Sequence, residues 1–325
     1  MAESSLFGIQ TKGLIMTMGE ILVEIMATER GQSFRAPGLL IGPYASGAPA
    51  IFIDQVAKAG SRCAMIGCVG DDDFGVLNVE RLRADGVDVS AIDVLRHETT
   101  GSAFVTYRED GERDFIYNIA NSASAKLSEA QVSEARLKDC AHFHVMGSSL
   151  FSAGIIDAVK KAVRIVKAQG GTVSFDPNAR KEILNRPGMR DAFDHLIAST
   201  DVFLPSGHEV TLLTQADSEE AAIEELLGRG VREIVVKQGA QGCRLYDGAQ
   251  RLDHPAFAVE EVDPTGAGDC FGATYIACRM QGMDAERALR YASASGARAV
   301  QAKGPMEGTA TLAQLDQFIS EHRHA

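Results

Sequence analysis

The segment Val262–Ala273, VDPTGAGDCFGA, holds the residues best suited to chemistry. Gly266, Ala267 and Gly268 lead into a predicted helix whose first turn carries Asp269. Small residues let a backbone approach a ligand closely, and the N–H groups of a first helical turn point outward. Together with the helix dipole they make an anion site. A carboxylate at the same spot can take a proton from a hydroxyl while the N–H groups stabilise negative charge on a transferring phosphoryl group. GAGD on its own reads more simply as a glycine-rich helix start with an acidic first turn. The longer context favours chemistry. Neither GxxxxGK[ST] nor a GxGxxG after the first strand is present.

The elements that must position these residues alternate between strand and helix. Residues 14–25 read as one buried strand broken only in composition by Gly19 and Glu20, and 48–59 as a helix stopped by Gly60. A strand at 63–69, a turn at 70–73 and a helix at 76–84 follow. From 141 onward strands are expected at 143–146, 172–175, 201–204, 233–237 and 243–246. Ser152 opens a helix striped by Ile155, Ile156, Val159, Val163 and Val166. Asp217 with Glu220 suggests a capping box for a helix through Leu227, and three more helices fall near 268–281, 284–301 and 310–321. This alternation implies a parallel sheet between helices. Residues 99–120 differ: Ser102–Tyr107 alternates, Asp110–Gly111 signals a hairpin, and Asp114–Tyr117 resumes strand composition. With the irregular stretch 28–46 it reads as a small β lid. In open α/β sheets ligands sit at the carboxyl ends of the strands, where Asp176, Asn178, Ser206, Glu209, Gly239 and the 263–269 loop fall.

In this order the segments resemble the ribokinase-like (PfkB) carbohydrate kinases. DPTGAGDCFGA is similar to their C-terminal signature, and GEILVE (19–24), SGAPA (46–50), VGDDDFG (69–75), FDPNAR (175–180), Glu209 and KQGAQG (237–242) fall in the family's order. The resemblance implies a three-layer α/β/α fold with a mostly parallel central sheet and a small β-sheet lid. The large domain would comprise 13–27, 47–98 and 121–325, and the lid 28–46 and 99–120. It implies MgATP as donor and a sugar hydroxyl as acceptor. Carried over by residue, Asp269 is the catalytic base and Gly266, Ala267 and Gly268 form the anion hole. Lys237, Gly239, Gly242, Thr265 and Ser206 serve the nucleotide. Glu209 orients the magnesium water shell, and Asp263 orders a loop for a monovalent cation, K+. Phosphoryl transfer needs mostly positioning and charge neutralisation, which fits such a set.

On the sugar side the candidates are Glu24, Gly47, Asn178 and Arg180, with Tyr107 and Tyr117 from the lid. Four departures from the family pattern bear on substrate. Glu24 stands where an Asp or an apolar residue is usual after the first strand. The N-x-x-E motif reads Ser206-Gly207-His208-Glu209, the Gly-Gly before the first helix reads Ser46-Gly47, and the Asn after GGAPA is Ile51. Relatives acting on 2-keto-3-deoxygluconate use a lid Arg for the carboxylate. The nearest position here is Asn118, which cannot make a charge-assisted bidentate pair, although Arg113 could substitute from the hairpin. The resemblance therefore leans to a neutral ketohexose and is strongest to bacterial tagatose and fructose kinases. The alternatives are a 2-keto-3-deoxygluconate kinase, an adenosine-type nucleoside kinase, against which few aromatics and no Trp speak, and a non-catalytic sugar sensor.

Composition sets outer bounds. The 325 residues are 45% hydrophobic and 23% charged, enough to bury a core, and the net charge of −12 argues against nucleic-acid or anionic-membrane partners. No apolar run is long enough to span a bilayer, and no signal peptide is apparent. Six scattered cysteines suggest reduced thiols in the cytoplasm. Cys270 reads as a small core thiol, His142 and His144 as a structural pair, and Asp71–Asp73 as a capped helix start. A homodimer through the lid is the expected assembly.

Overall fold

The computed structural model describes residues 13–109, 113–178 and 188–322. Two sheets organise it. The larger contains β1 (Leu14–Met18), β4 (Cys63–Gly70), β5 (Ile92–Leu95), β8 (Cys140–Met146), β9 (Thr172–Asp176), β10 (Val202–Phe203), β11 (Glu233–Lys237), β12 (Cys243–Tyr246) and β13 (Arg251–His254). Their order is β13-β12-β11-β10-β9-β8-β1-β4-β5. Every pairing from β11 to β5 is parallel, and β12 and β13 add an antiparallel edge.

The strands are buried on both faces, so their apolar residues alternate between two cores. Ile15, Cys63, Met65 and Val235 face one core, packed by the helices Ala48–Lys58, Ala267–Met280, Ala285–Val300 and Leu312–Glu321. Met16, Met18, Ile66, Ile234 and Val236 face the other, under Ala153–Ala168, Met189–Ile197 and Glu219–Gly228. The result is the expected three-layer α/β/α arrangement. Ser152 caps its helix by accepting the Ile155 N–H at 3.3 Å, and Asp72 caps Asp73–Asp85 by accepting the Gly75 N–H at 2.8 Å.

The smaller sheet runs β3-β2-β6-β7, from β2 (Leu22–Arg30), β3 (Leu40–Ser46), β6 (Gly101–Tyr107) and β7 (Arg113–Asn118). Here two expectations change. The apolar run 14–25 is not one strand: β1 ends at Met18, the chain turns at Gly19–Ile21, and β2 enters the small sheet. Residues 22–27, assigned by sequence to the large domain, are thus small-sheet residues. The run looks continuous because Leu22, Val23, Met26 and Ala27 are as buried as β1 itself. The cap of Glu219–Gly228 is also shifted by one residue: Ser218, not Asp217, accepts the Ala221 N–H, at 3.2 Å.

Candidate active site

The loop Asp263–Gly266 is set before the helix Ala267–Met280 forms. Asp263 is fully buried, and its carboxylate accepts from the Thr265 N–H (3.1 Å), the Thr265 hydroxyl (2.7 Å) and the Gly304 N–H (3.1 Å). Gly266 then turns with φ 82°, and a Cβ there would lie 2.5 Å from the Pro305 carbonyl oxygen, so only glycine fits. The Ala267 N–H is turned back to the Pro264 carbonyl at 3.4 Å. Within the expected anion hole, outward donation therefore falls to the N–H of Gly268, next to that of Asp269, neither with an acceptor inside the helix.

These groups open onto a cavity of about 870 Å³. It is lined by Glu20, Glu24, Gly47, Ile51, Arg113, Phe115, Tyr117, Phe151, Asp176, Asn178, Ser206, Lys237, Thr265, Gly266, Gly268 and Asp269. The carboxyl ends of β1, β9, β10 and β11 supply its floor, and β2 and β7 its cover.

Electrostatics inside are dominated by buried carboxyls. Burial pushes Asp269 up to about 8, Asp176, Glu20 and Glu24 add to the rise, and the Lys237 ammonium opposes it. Burial likewise raises Glu24 to about 7, although a hydrogen bond from Ser46 pulls the other way. The Ser46 hydroxyl donates to Glu24 Oε1 at 2.8 Å, while Glu24 Oε2, buried at the wall, has no hydrogen-bond partner. Glu20 is raised by burial against hydrogen bonds from Ser149 and Ser148. Burial would lower Lys237, but its ion pair with Asp176 and the nearby Glu209 and Asp269 carboxylates outweigh it and hold the ammonium above its ordinary range.

Of the residues singled out from sequence, Asp269, Gly266, Gly268, Lys237, Thr265, Ser206, Glu24, Gly47 and Asn178 come together here. Gly47 closes one wall of the cavity: its φ is 110°, and a Cβ would lie 2.4 Å from the Glu20 carbonyl oxygen. Asn178 holds φ 36° and takes its N–H to Asp176 Oδ1 at 3.1 Å. Glu209 lies behind Ser206, whose N–H it accepts at 2.6 Å. Others are elsewhere. Gly239 and Gly242 form the turn between β11 and β12, away from the lining, where the Gln238 N–H meets the Gly242 carbonyl at 2.8 Å. Tyr107 packs in the small sheet with its hydroxyl 3.6 Å from Met26 Sδ, and Tyr117 lines the cavity instead. Arg180 lies outside the described residues. Lys237, the last residue of β11, forms an ion pair with Asp176 at the end of β9.

Three charged lining residues make contacts that the sequence did not announce. Glu20 sits in the quoted GEILVE but faces the cavity only because the chain turns at 19–21. Asp176 was placed at a strand end without a partner. Arg113 donates from Nη1 to the Thr265 hydroxyl at 2.5 Å. Among the described residues no group of three or more His, Cys, Asp or Glu could hold a metal ion, and no helix is long and apolar enough to cross a membrane.

Comparison with known proteins identifies the family. The model of the pfkB family carbohydrate kinases matches residues 15–312. Fructokinase-1 of Oryza sativa subsp. japonica is 32% identical over 93% of this chain and 96% of its own. Fructokinase-1 of Zea mays is 32% identical over 95% and 98%. An Escherichia coli protein provisionally assigned as Ribokinase II, solved with ATP and Mg2+, superposes with a TM-score of 0.93 at 56% identity, covering 95% of this chain and 100% of that one. Fructokinase from Xylella fastidiosa with bound ATP gives 0.84 at 26% identity, covering 95% and 99%.

Proposed function

Since this chain belongs to the pfkB family of carbohydrate kinases, we propose that it transfers the γ-phosphoryl group of ATP to a hydroxyl of a ketohexose, fructose or tagatose. One observation carries the reading. Asp269 and the N–H of Gly268 open onto the same cavity as Glu24, whose buried Oε2 lacks a partner that a sugar hydroxyl would supply. Relatives named fructokinases support the acceptor, and the neighbour solved with ATP and Mg2+ supports the donor.

In this reading Asp269 takes the proton of the acceptor hydroxyl. The sugar oxygen bonds to phosphorus as the bridging P–O bond breaks, and ADP leaves with that electron pair. The N–H of Gly268 and the helix start face the oxygens of the transferring group. Asp269 needs its carboxylate form, and Lys237 lowers the cost of that form inside the cavity. Asn178 and Gly47 shape the sugar side.

Magnesium supplies charge neutralisation on the phosphates when bound. The residues fit an ion carried in with the nucleotide rather than a resident one, since no metal cluster exists among the described residues. The family resemblance gives Glu209, which accepts the Ser206 N–H, the role of orienting its waters. Asp263 orders its loop through three hydrogen bonds, and potassium beside that loop is the finer part of the reading, checked by titrating KCl against choline chloride.

Three aromatics, Phe115, Tyr117 and Phe151, line the cavity despite an aromatic content of 6%. Nucleosides therefore join the test. ADP release with MgATP is measured against fructose, tagatose, 2-keto-3-deoxygluconate and adenosine, and the product is read by NMR. Turnover confined to an aldonate or a nucleoside overturns the ketohexose assignment. A cytoplasmic enzyme goes with six free, buried cysteines. A homodimer through the small sheet goes with exposed Leu39, Leu40, Ile41 and Ile116, and light scattering in solution tests it.

A further inference from the structure

Among the described residues the cavity contains four carboxyls, Glu20, Glu24, Asp176 and Asp269, but two cations, Lys237 and Arg113. Lys237 is committed to Asp176. Arg113 has no ion-pair partner among the described residues. Its guanidinium donates from Nη1 to a neutral hydroxyl, Thr265 Oγ1, and lies 5.4 Å from the Phe115 ring centroid. Its other N–H groups make no hydrogen bond within the described residues. A forked donor is thus held in the cavity with most of its hydrogen-bonding capacity unspent.

Its anchor is specific. Thr265 directly precedes Gly266, and the Thr265 hydroxyl, while accepting from Arg113, donates to Asp263 Oδ1 at 2.7 Å. Asp263 is fully buried and tied to Gly304. A strand of the small sheet is therefore fastened to the loop that opens the transfer site. A triphosphate entering a cavity with four carboxyls needs positive charge beyond a helix start, and Arg113 is the side chain poised to give it.

We propose that Arg113 is the cation that meets the transferring phosphoryl group, and that Thr265 is the positioning residue that holds it there. The proposal rests on the reading of Gly266–Asp269 as the transfer site. Arg113→Ala lowers kcat about 100-fold, with the ketose KM within about twofold, because one transition-state charge contact is lost. Arg113→Lys and added guanidinium each restore part of the loss. Thr265→Val lowers kcat about tenfold, and Thr265→Ser recovers most of it. Adding Thr265→Val to Arg113→Ala costs nothing more, since the hydroxyl acts through the guanidinium.

A kcat within threefold of wild type for Arg113→Ala overturns the proposal. So do additive losses in the double variant, and so does a raised ketose KM at unchanged kcat, which would make Arg113 a sugar contact. A readout without turnover separates this test from that of the function. ADP with Mg2+ and aluminium fluoride, which mimics the transferring group, loses at least about tenfold in affinity in Arg113→Ala, while ADP alone keeps its affinity. Equal losses for both overturn the proposal whatever the acceptor proves to be.

Discussion

Lys237 and Asp176 form an ion pair that reaches over the end of β10, joining the last residues of β11 and β9. Both side chains are largely buried, at 13% and 3% exposure. The pair places a positive charge beside Asp269 without leaving it uncompensated.

Lys237→Met removes one partner and leaves Asp176 buried and unpaired. Breaking a buried pair in this way costs about 3–5 kcal/mol, so denaturant midpoints fall. Asp269 loses the charge that opposes its rise, so the pH–rate profile moves to higher pH. A stability loss with no displacement of the profile would show that Lys237 only supports the fold.

Asp269→Asn keeps the volume and removes the base. Turnover falls by about 10³-fold or more, while calorimetry still detects nucleotide and sugar. Near-normal turnover would sink the assignment of Asp269.

The rate depends on pH through two carboxyls. Asp269 titrates at about 8 and Glu24 at about 7, and both act as carboxylates, so kcat/KM climbs with pH across that range. Glu24→Gln removes the lower step and weakens the ketose. The same groups bind protons more strongly folded than unfolded, so their burial costs stability as pH rises from their ordinary values through 7 to 8. Asp269→Asn is therefore more stable than wild type at pH 8, and by less at pH 5. Equal differences at both pH values would contradict the shift.

His142 and His144 act in the opposite direction. Both are buried and share the Ser174 hydroxyl, at 2.7 and 2.8 Å, and His144 stacks on Phe52 at 3.7 Å between ring centroids. Burial lowers His142 to about 3 and His144 well below its usual range. The unfolded chain binds these protons first, so stability is full above about 6.5 and is lost as pH falls below it. The slope approaches about 1.4 kcal/mol per pH unit for each histidine. His142→Gln removes part of that slope, read from thermal midpoints between pH 7 and 5.

Legibility followed chemistry of two kinds. Glycines and acidic residues in fixed order marked the loop around Gly266–Asp269, and short apolar runs marked the strands of the large sheet. What escaped depends on distance in space. Nothing near Asp176 announces Lys237 as its partner, because the pair arises only when β9 and β11 flank the shorter β10. Nothing near Arg113 announces Thr265. β13, Arg251–His254, carries one aliphatic in four residues and is held to β12 by its backbone and by the Arg244–Asp253 ion pair. Gly239 and Gly242 matched a family segment but occupy a hairpin turn. The break at Gly19–Ile21 hid because both flanking segments are buried, so composition does not change where the sheet does.

That break also divides the labour of selection. Glu24, Ser46, Arg113 and Tyr117 ride on the small sheet, whereas Lys237 and Asp176 end strands of the large one and Asp269 starts a helix packed on it. The small sheet thus carries the proposed acceptor contacts together with Arg113, while the base belongs to the large domain. A chimera taking its small sheet from a relative with another sugar preference would inherit the new appetite, and would keep the old engine only if Arg113 stayed.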